Sequence, residues 1–144
     1  MNLSTSGKVT RVSNAVAAGQ ATTNCSSVDM KGFDAVTFIL SVGAIDATGT
    51  VTLKAQQSTD NSSFADLAGT AVAYTASDDN KVAVLEVTKP RERYIRPVVT
   101  TATANGTIDG CVAIQSSADT EPVTHDSSTV VGSEHHLAPA EGTV

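Results

Sequence analysis

The chain has 144 residues and a formal net charge of −6; 40% of the residues are apolar, 3% aromatic and 17% charged. That length suits one domain, or one domain with a tail, and the acidic balance offers no global basic footprint for nucleic acid. The most apolar uncharged run, Ala35 to Ile45, falls far short of the roughly 20 apolar residues of a membrane-spanning helix, and Met1 to Gly7 lacks the apolar core of a signal peptide.

Ala, Thr, Val and Ser make up 73 of the 144 residues. Val and Thr favour strands, because branched side chains fit a pleated surface. Recurring Val, Ile, Leu and Phe in strand-like runs argue against disorder throughout. Val9 to Val12 is a short strand. Asn14 to Thr23 is Ala-rich and reads as strand or loop. Cys25 to Met30 follows, then a turn at Lys31-Gly32-Phe33-Asp34. Ala35 to Val42 carries the strongest alternation: Val36, Phe38, Leu40 and Val42 lie on one face, Thr37, Ile39 and Ser41 on the other. Gly43 to Gly49 reads as a loop. Val51, Leu53 and Ala55 alternate with Thr52, Lys54 and Gln56.

Ser58 to Ser63 is turn chemistry, and Phe64 to Leu67 restarts the chain. Ala71 to Tyr74 is a short strand closed by Ser77-Asp78-Asp79-Asn80. Lys81 to Val87 alternates, with Val82, Val84 and Leu85 expected inward, and Pro90 stops it. In Tyr94 to Thr101, Pro97 cannot donate to a ladder and is expected at a sheet edge or a bulge. Asn105-Gly106 predicts a tight hairpin. Thr107 to Gln115 is the last strand, with Ile108, Val112 and Ile114 apolar and Gly110 a bulge or close approach. No stretch keeps a helical period over ten residues. About eight strands with frequent turns predict an all-β antiparallel sandwich or barrel. The expected division is a sandwich over 1–116, with an N-terminal arm at 1–7, and an extended C-terminal arm over 117–144.

The chemistry-bearing residues are sparse. Cys25 and Cys111 show no metal-ligand spacing and read as two buried thiols. All three histidines, His125, His135 and His136, lie in the C-terminal arm, where adjacent His side chains point in opposite directions along an extended chain. Asp78-Asp79-Asn80 lacks the full calcium-loop spacing. There is no G-x-S-x-G elbow, dinucleotide fingerprint or phosphate loop. No cofactor, metal or catalytic constellation is expected. The one charge cluster is Lys89, Arg91, Glu92, Arg93 and Arg96 around Tyr94. It reads either as a solvated loop or as a docking patch for an acidic partner, since Arg forks onto carboxylates. A sugar platform needs exposed aromatics; the chain has five, and Phe38 and Phe64 are expected inside.

Three stretches resemble small virion proteins encoded in tailed-phage head gene clusters: Val28 to Phe38, Leu53 to Gly69, and Lys89-Pro90-Arg91-Glu92-Arg93-Tyr94-Ile95-Arg96-Pro97-Val98-Val99 running on to Gly110 and Ile114. The resemblance implies a capsid cement, or decoration, protein: a jelly-roll-like β-sandwich that forms a homotrimer on the capsid outer surface, clamps neighbouring major capsid proteins and is assembled in the host cytoplasm. It implies no catalysis. A tail or neck component, or a carbohydrate-binding or adhesin-like sandwich, is the alternative. Within that frame the expected partner contacts are Arg91, Arg93, Tyr94, Arg96, Val130, Val131 and Leu137, with the sheet edges near Pro97 and at Val9 to Val12 able to accept a partner strand.

Overall fold

A computed structural model describes residues 2–143. In chain order it contains a one-turn helix α1 (Leu3–Ser6), then β1 (Lys8–Ser13), β2 (Val16–Gly19), β3 (Thr22–Asn24), β4 (Val28–Asp29), β5 (Phe33–Ile45), β6 (Thr50–Ser58), β7 (Ala65–Asp66), β8 (Val72–Thr75), β9 (Val82–Thr88), β10 (Tyr94–Ala102) and β11 (Gly106–Ala118). The strands form two antiparallel sheets packed face to face. Sheet A runs β1-β11-β5-β9, with β2 continuing β1 along β11; sheet B runs β3-β10-β6-β7, with β4 on β10 and β8 on β6. β3 and β4 are two pieces of one strand position, as are β7 and β8. Counting each interrupted position once, one sheet reads first, eighth, third, sixth and the other second, seventh, fourth, fifth. That is the strand order of a jelly roll.

The core follows the alternation of the sequence. Val36, Phe38, Leu40 and Val42 of β5 face Val51, Leu53 and Ala55 of β6, all at most 3% exposed. Ile95, Val99 and Ile108 complete the layer. Gly110 is the expected bulge: at φ 152° it follows an extra residue in β11 that shifts its register against β5, while the irregularity against β1 lies between Arg11 and Ser13. The extra residue changes which side chains point inward. Ile108 is inside before the bulge, and Cys111, Ala113 and Gln115 are inside after it, so Val112 and Ile114 sit half-buried on the outer face. Cys25 and Cys111 are free thiols in this core. Burial pushes Cys25 up, and burial together with the nearby Cys25 pushes Cys111 up to about 12.

Four expectations need correction. β5 continues through Gly43 to Ile45 instead of ending at Val42; the Ala-rich stretch 14–23, read as strand or loop, is strand at β2 and β3, which lie on different sheets. In β9 the inward residue is Ala83, with Leu85 and Val87 partly buried; Val82 and Val84 face out at 63% and 62% exposure. With apolar residues at both parities, Glu86 was the marker of the outer face. The Asn105-Gly106 hairpin is instead a loop of Thr103-Ala104-Asn105 in which Thr103 takes the positive φ of 70°. Space is tight at Gly106: a Cβ there would lie 3.1 Å from both Thr101 and Val51 side chains, which would have to give way by a few tenths of an ångström.

The fourth concerns Pro97, which is not at a sheet edge. It lies within β10, opposite Ala55 of β6, with β3 and β4 on the other side. Its carbonyl accepts the Cys25 N–H at 3.1 Å. A strand residue points both backbone groups the same way, so the missing donor faces the gap between β3 and β4, where no ladder bond is lost.

Phe38→Ala is expected to cost about 3–5 kcal/mol, the range for deleting a buried aromatic. Val84→Lys is expected to change stability by no more than about 0.5 kcal/mol. Urea denaturation of both variants measures this, and a large loss at Val84 would return that side chain to the inner face.

Candidate functional site

The residues expected to meet a partner fall mainly at two places, a basic corner and the C-terminal arm, with Arg96 apart from both. At the corner, β9 ends and Lys89 turns the chain at φ 50°, its N–H donating to the Asp34 carbonyl at 2.6 Å. Pro90, without an N–H, ends the ladder. This sets 89–93 beside the Lys31-Gly32 turn, where Gly32 adopts φ 87°. The cleft between them, about 530 Å³, is lined by Lys31, Phe33, Lys89, Pro90, Arg91 and Arg93, with Asp34 and Glu92 on its walls.

Arg93 is committed internally. Its Nε and Nη2 donate to the two carboxylate oxygens of Asp29 at 2.9 and 2.8 Å. Asp29 also accepts the Lys31 N–H at 3.0 Å. The guanidinium beside it holds the Asp29 carboxyl below the usual range. The fork ties β4 to the start of β10, and the Arg93 guanidinium lies 5.2 Å from the Tyr94 ring centre. Among the described residues, Lys31, Lys89 and Arg91 have no ion-pair partner. They are the groups able to take a carboxylate from another surface.

Arg96 belongs elsewhere. On the outer face of sheet B its guanidinium stacks 3.9 Å from the Phe64 ring centre, and its Nε donates to Gln56 at 2.9 Å. The sequence cluster therefore divides: Arg91 is exposed at the corner, Arg93 and Tyr94 brace it, and Arg96 holds Phe64. Phe64 is half-buried beneath that cation and is not in the core.

The arm starts where β11 ends. Val123 donates its N–H to the Thr5 carbonyl at 2.8 Å. His125 then clamps two elements: Nδ1 accepts the Val9 N–H at 3.1 Å, and Nε2 lies 3.1 Å from the Ser4 carbonyl, to which it donates. Those roles require the neutral ring with its proton on Nε2. Sequence reasoning missed this residue, since nothing in the spacing marks a His that covers a strand edge 116 residues away. Asp126 closes the next turn, accepting from Ser128 and, through its carbonyl, from Thr129 and Val130.

Val130 is half-buried and shares a cleft with Ile39 and Val112 on the outer face of sheet A. Val131 and Leu137 are fully exposed. His136 pairs with Glu134 at 2.9 Å. Among the described residues no group of three His, Cys, Asp or Glu is placed to hold a metal ion, and no helix is long and apolar enough to cross a membrane. Asp78 serves the turn before β9, accepting the Thr75 N–H and pairing with Lys81.

His125→Ala is expected to free the Val9 amide and loosen the arm. Hydrogen exchange at Val9 should accelerate about tenfold or more, as for an edge amide that loses its acceptor, while the β5 amides stay protected. Unchanged exchange at Val9 would remove His125 from this role. Asp29 has a lowered folded-state pKa, so its contribution is present above the ordinary carboxyl value and is lost as pH falls through the lowered one. Asp29→Asn should therefore be less stable than the parent at neutral pH by under about 1 kcal/mol, the scale of exposed pairs. The gap should close below about pH 4; chemical denaturation across pH measures it.

No protein-family model matches the chain, and no curated protein matches it in sequence.

Proposed function

We propose that the chain is a structural virion protein of the capsid cement, or decoration, kind: it bridges neighbouring major capsid proteins on the outer surface of a phage head and performs no catalysis. The three stretches resembling head-cluster virion proteins support this reading. The observation that carries it is the placement, on one rigid jelly roll, of a basic corner with uncommitted Lys31, Lys89 and Arg91 and an arm that exposes Val131 and Leu137. These are contact groups, and they lie at separate places on the surface, as bridging requires. Cations at the corner suit an acidic lattice surface. Each contact is small, and repetition over a lattice turns modest contacts into firm attachment. Trimerisation multiplies the same gain.

The test uses shells assembled from the major capsid protein of the same head gene cluster. The full-length chain, mixed with such shells and sedimented, should be taken up at a fixed ratio and appear as ordered density on the outer surface. Lys89→Glu with Arg91→Glu should weaken uptake by about tenfold or more, the effect of reversing charges at a contact, without lowering thermal stability. Absence of uptake by the parent chain overturns the reading.

A further inference from the structure

The sheet edges are unequal. In sheet B they are broken into short pieces: β3, β4, β7 and β8 have three, two, two and four residues. In sheet A, the β1 edge expected to accept a partner strand is already occupied. His125 takes the Val9 N–H, and the Val12 carbonyl accepts the Ser26 N–H at 2.8 Å. The opposite edge, β9, has seven residues and a neighbour on one side only.

The flanking bonds fix which way β9 faces. Val42 donates to the Lys81 carbonyl at 2.9 Å, and the Lys89 N–H donates to Asp34 at 2.6 Å. Odd-numbered residues of this segment therefore turn their backbone toward β5. By the alternation of a strand, the N–H and C=O groups of Val82, Val84, Glu86 and Thr88 point out from the sheet, and among the described residues they have no backbone partner. Beside this open ladder, Val82 and Val84 expose more than half their surface. A long, apolar, uncovered edge is a template for another strand.

We propose that the β9 edge receives residues 131–137 of the C-terminal arm of a second copy of this chain as an added strand. The segment is as long as β9, and none of its backbone groups is hydrogen-bonded among the described residues. Val131 and Leu137 are 109% and 87% exposed, and their even spacing puts both on one face of a strand, one of them beside Val82 and Val84 and the other near the opposite end of β9. The arm from 131 onward carries Glu134 and Glu141 with no Lys or Arg; β9 carries Glu86 and is bounded by Lys81, which pairs with Asp78, and by Lys89, which has no ion-pair partner among the described residues. A chain does not fill its own edge this way. Its arm is held at the β1 side by Val123 and His125, and Gly132 to His136 share a cleft there with Asn2, Leu3 and Ser4. Edge and arm are different surfaces, so the contact is head-to-tail, and two copies that exchange arms form a closed pair.

The experiment needs no capsid shells, so it fails or succeeds independently of the function proposed above. The full-length chain is measured by light scattering up to about 100 μM, the weak end of specific association. Val84→Pro removes one outward N–H and leaves the β5 ladder intact; Val84→Lys blocks the same edge if proline perturbs folding, which circular dichroism reports. Val131→Asp with Leu137→Asp spoils the arm. The parent should show a mass above one chain, each variant alone the mass of one chain, and an equimolar mixture of an edge variant with the arm variant a restored two-chain species, since one partner supplies the edge and the other the arm. A parent of single-chain mass overturns the proposal. So does an arm variant that still associates, which would mean β9 pairs with another β9.

Discussion

The ladder between β5 and β11 is the constraint on which the rest of the molecule depends. It runs from Ile45 opposite Gly106 to Phe33 opposite Ala118, two strands of thirteen residues each. β1 and β2 pair along the far side of β11, and β9 along the far side of β5. The inner stripe of β5 supplies Phe38 and Leu40 to the core. The bulge at Gly110 then shifts the second half of β11 by one residue. A Cβ at Gly110 would lie 3.4 Å from the Ser13 carbonyl, and the φ of 152° suits only glycine well. The open edge, the occupied edge and the origin of the arm all follow from this one pairing.

The core it supports is built from small side chains, with Phe38 the one aromatic fully inside. Cys25 and Cys111 act there as small hydrophobes, their thiols held protonated by burial and so poor nucleophiles. One buried polar group connects the interior to the surface. Gln115 is 1% exposed and donates to the Asp29 carbonyl at 2.7 Å across the sandwich. The Asp29 carboxylate takes the Arg93 fork. The basic corner is thus anchored through β4 to β11 in the opposite sheet, and its free cations stand on a rigid support.

Much of the fold was legible because β5 and β6 have one wet face and one dry face, so period-two alternation named their inner residues directly. It failed where both faces are apolar. In β9, Val82, Ala83, Val84 and Leu85 offer no contrast, and the parity was carried by Glu86 alone. Pro97 misled for a different reason: a proline rule about donors holds for an edge, and an interruption in a neighbouring strand satisfies it equally well. The candidate site was legible only in part. The cluster from Lys89 to Arg96 is continuous in sequence, but strand alternation and the corner at Lys89 divide it between an exposed cleft and the Phe64 stack. The partners Asp29 and Phe64 are far along the chain, and no local pattern announces them. The His125 clamp was hidden for the same reason.

Composition and edges bear on each other. A chain with five aromatics, one of them enclosed and one under Arg96, has few of the large anchors that dominate side-chain interfaces. Backbone is the contact material it has in quantity. A ladder of N–H and C=O groups gives direction and register without large side chains, and it asks of its partner only an extended segment with free backbone and a few apolar residues. The arm from Val131 to Leu137 is such a segment. Three of the four sheet edges are short, interrupted or covered, and the fourth is long and apolar. In a protein that merely had to remain a monomer, that fourth edge would be a liability. β9 answers it with a single charge, Glu86, toward one end, and leaves Val82 and Val84 exposed at the other.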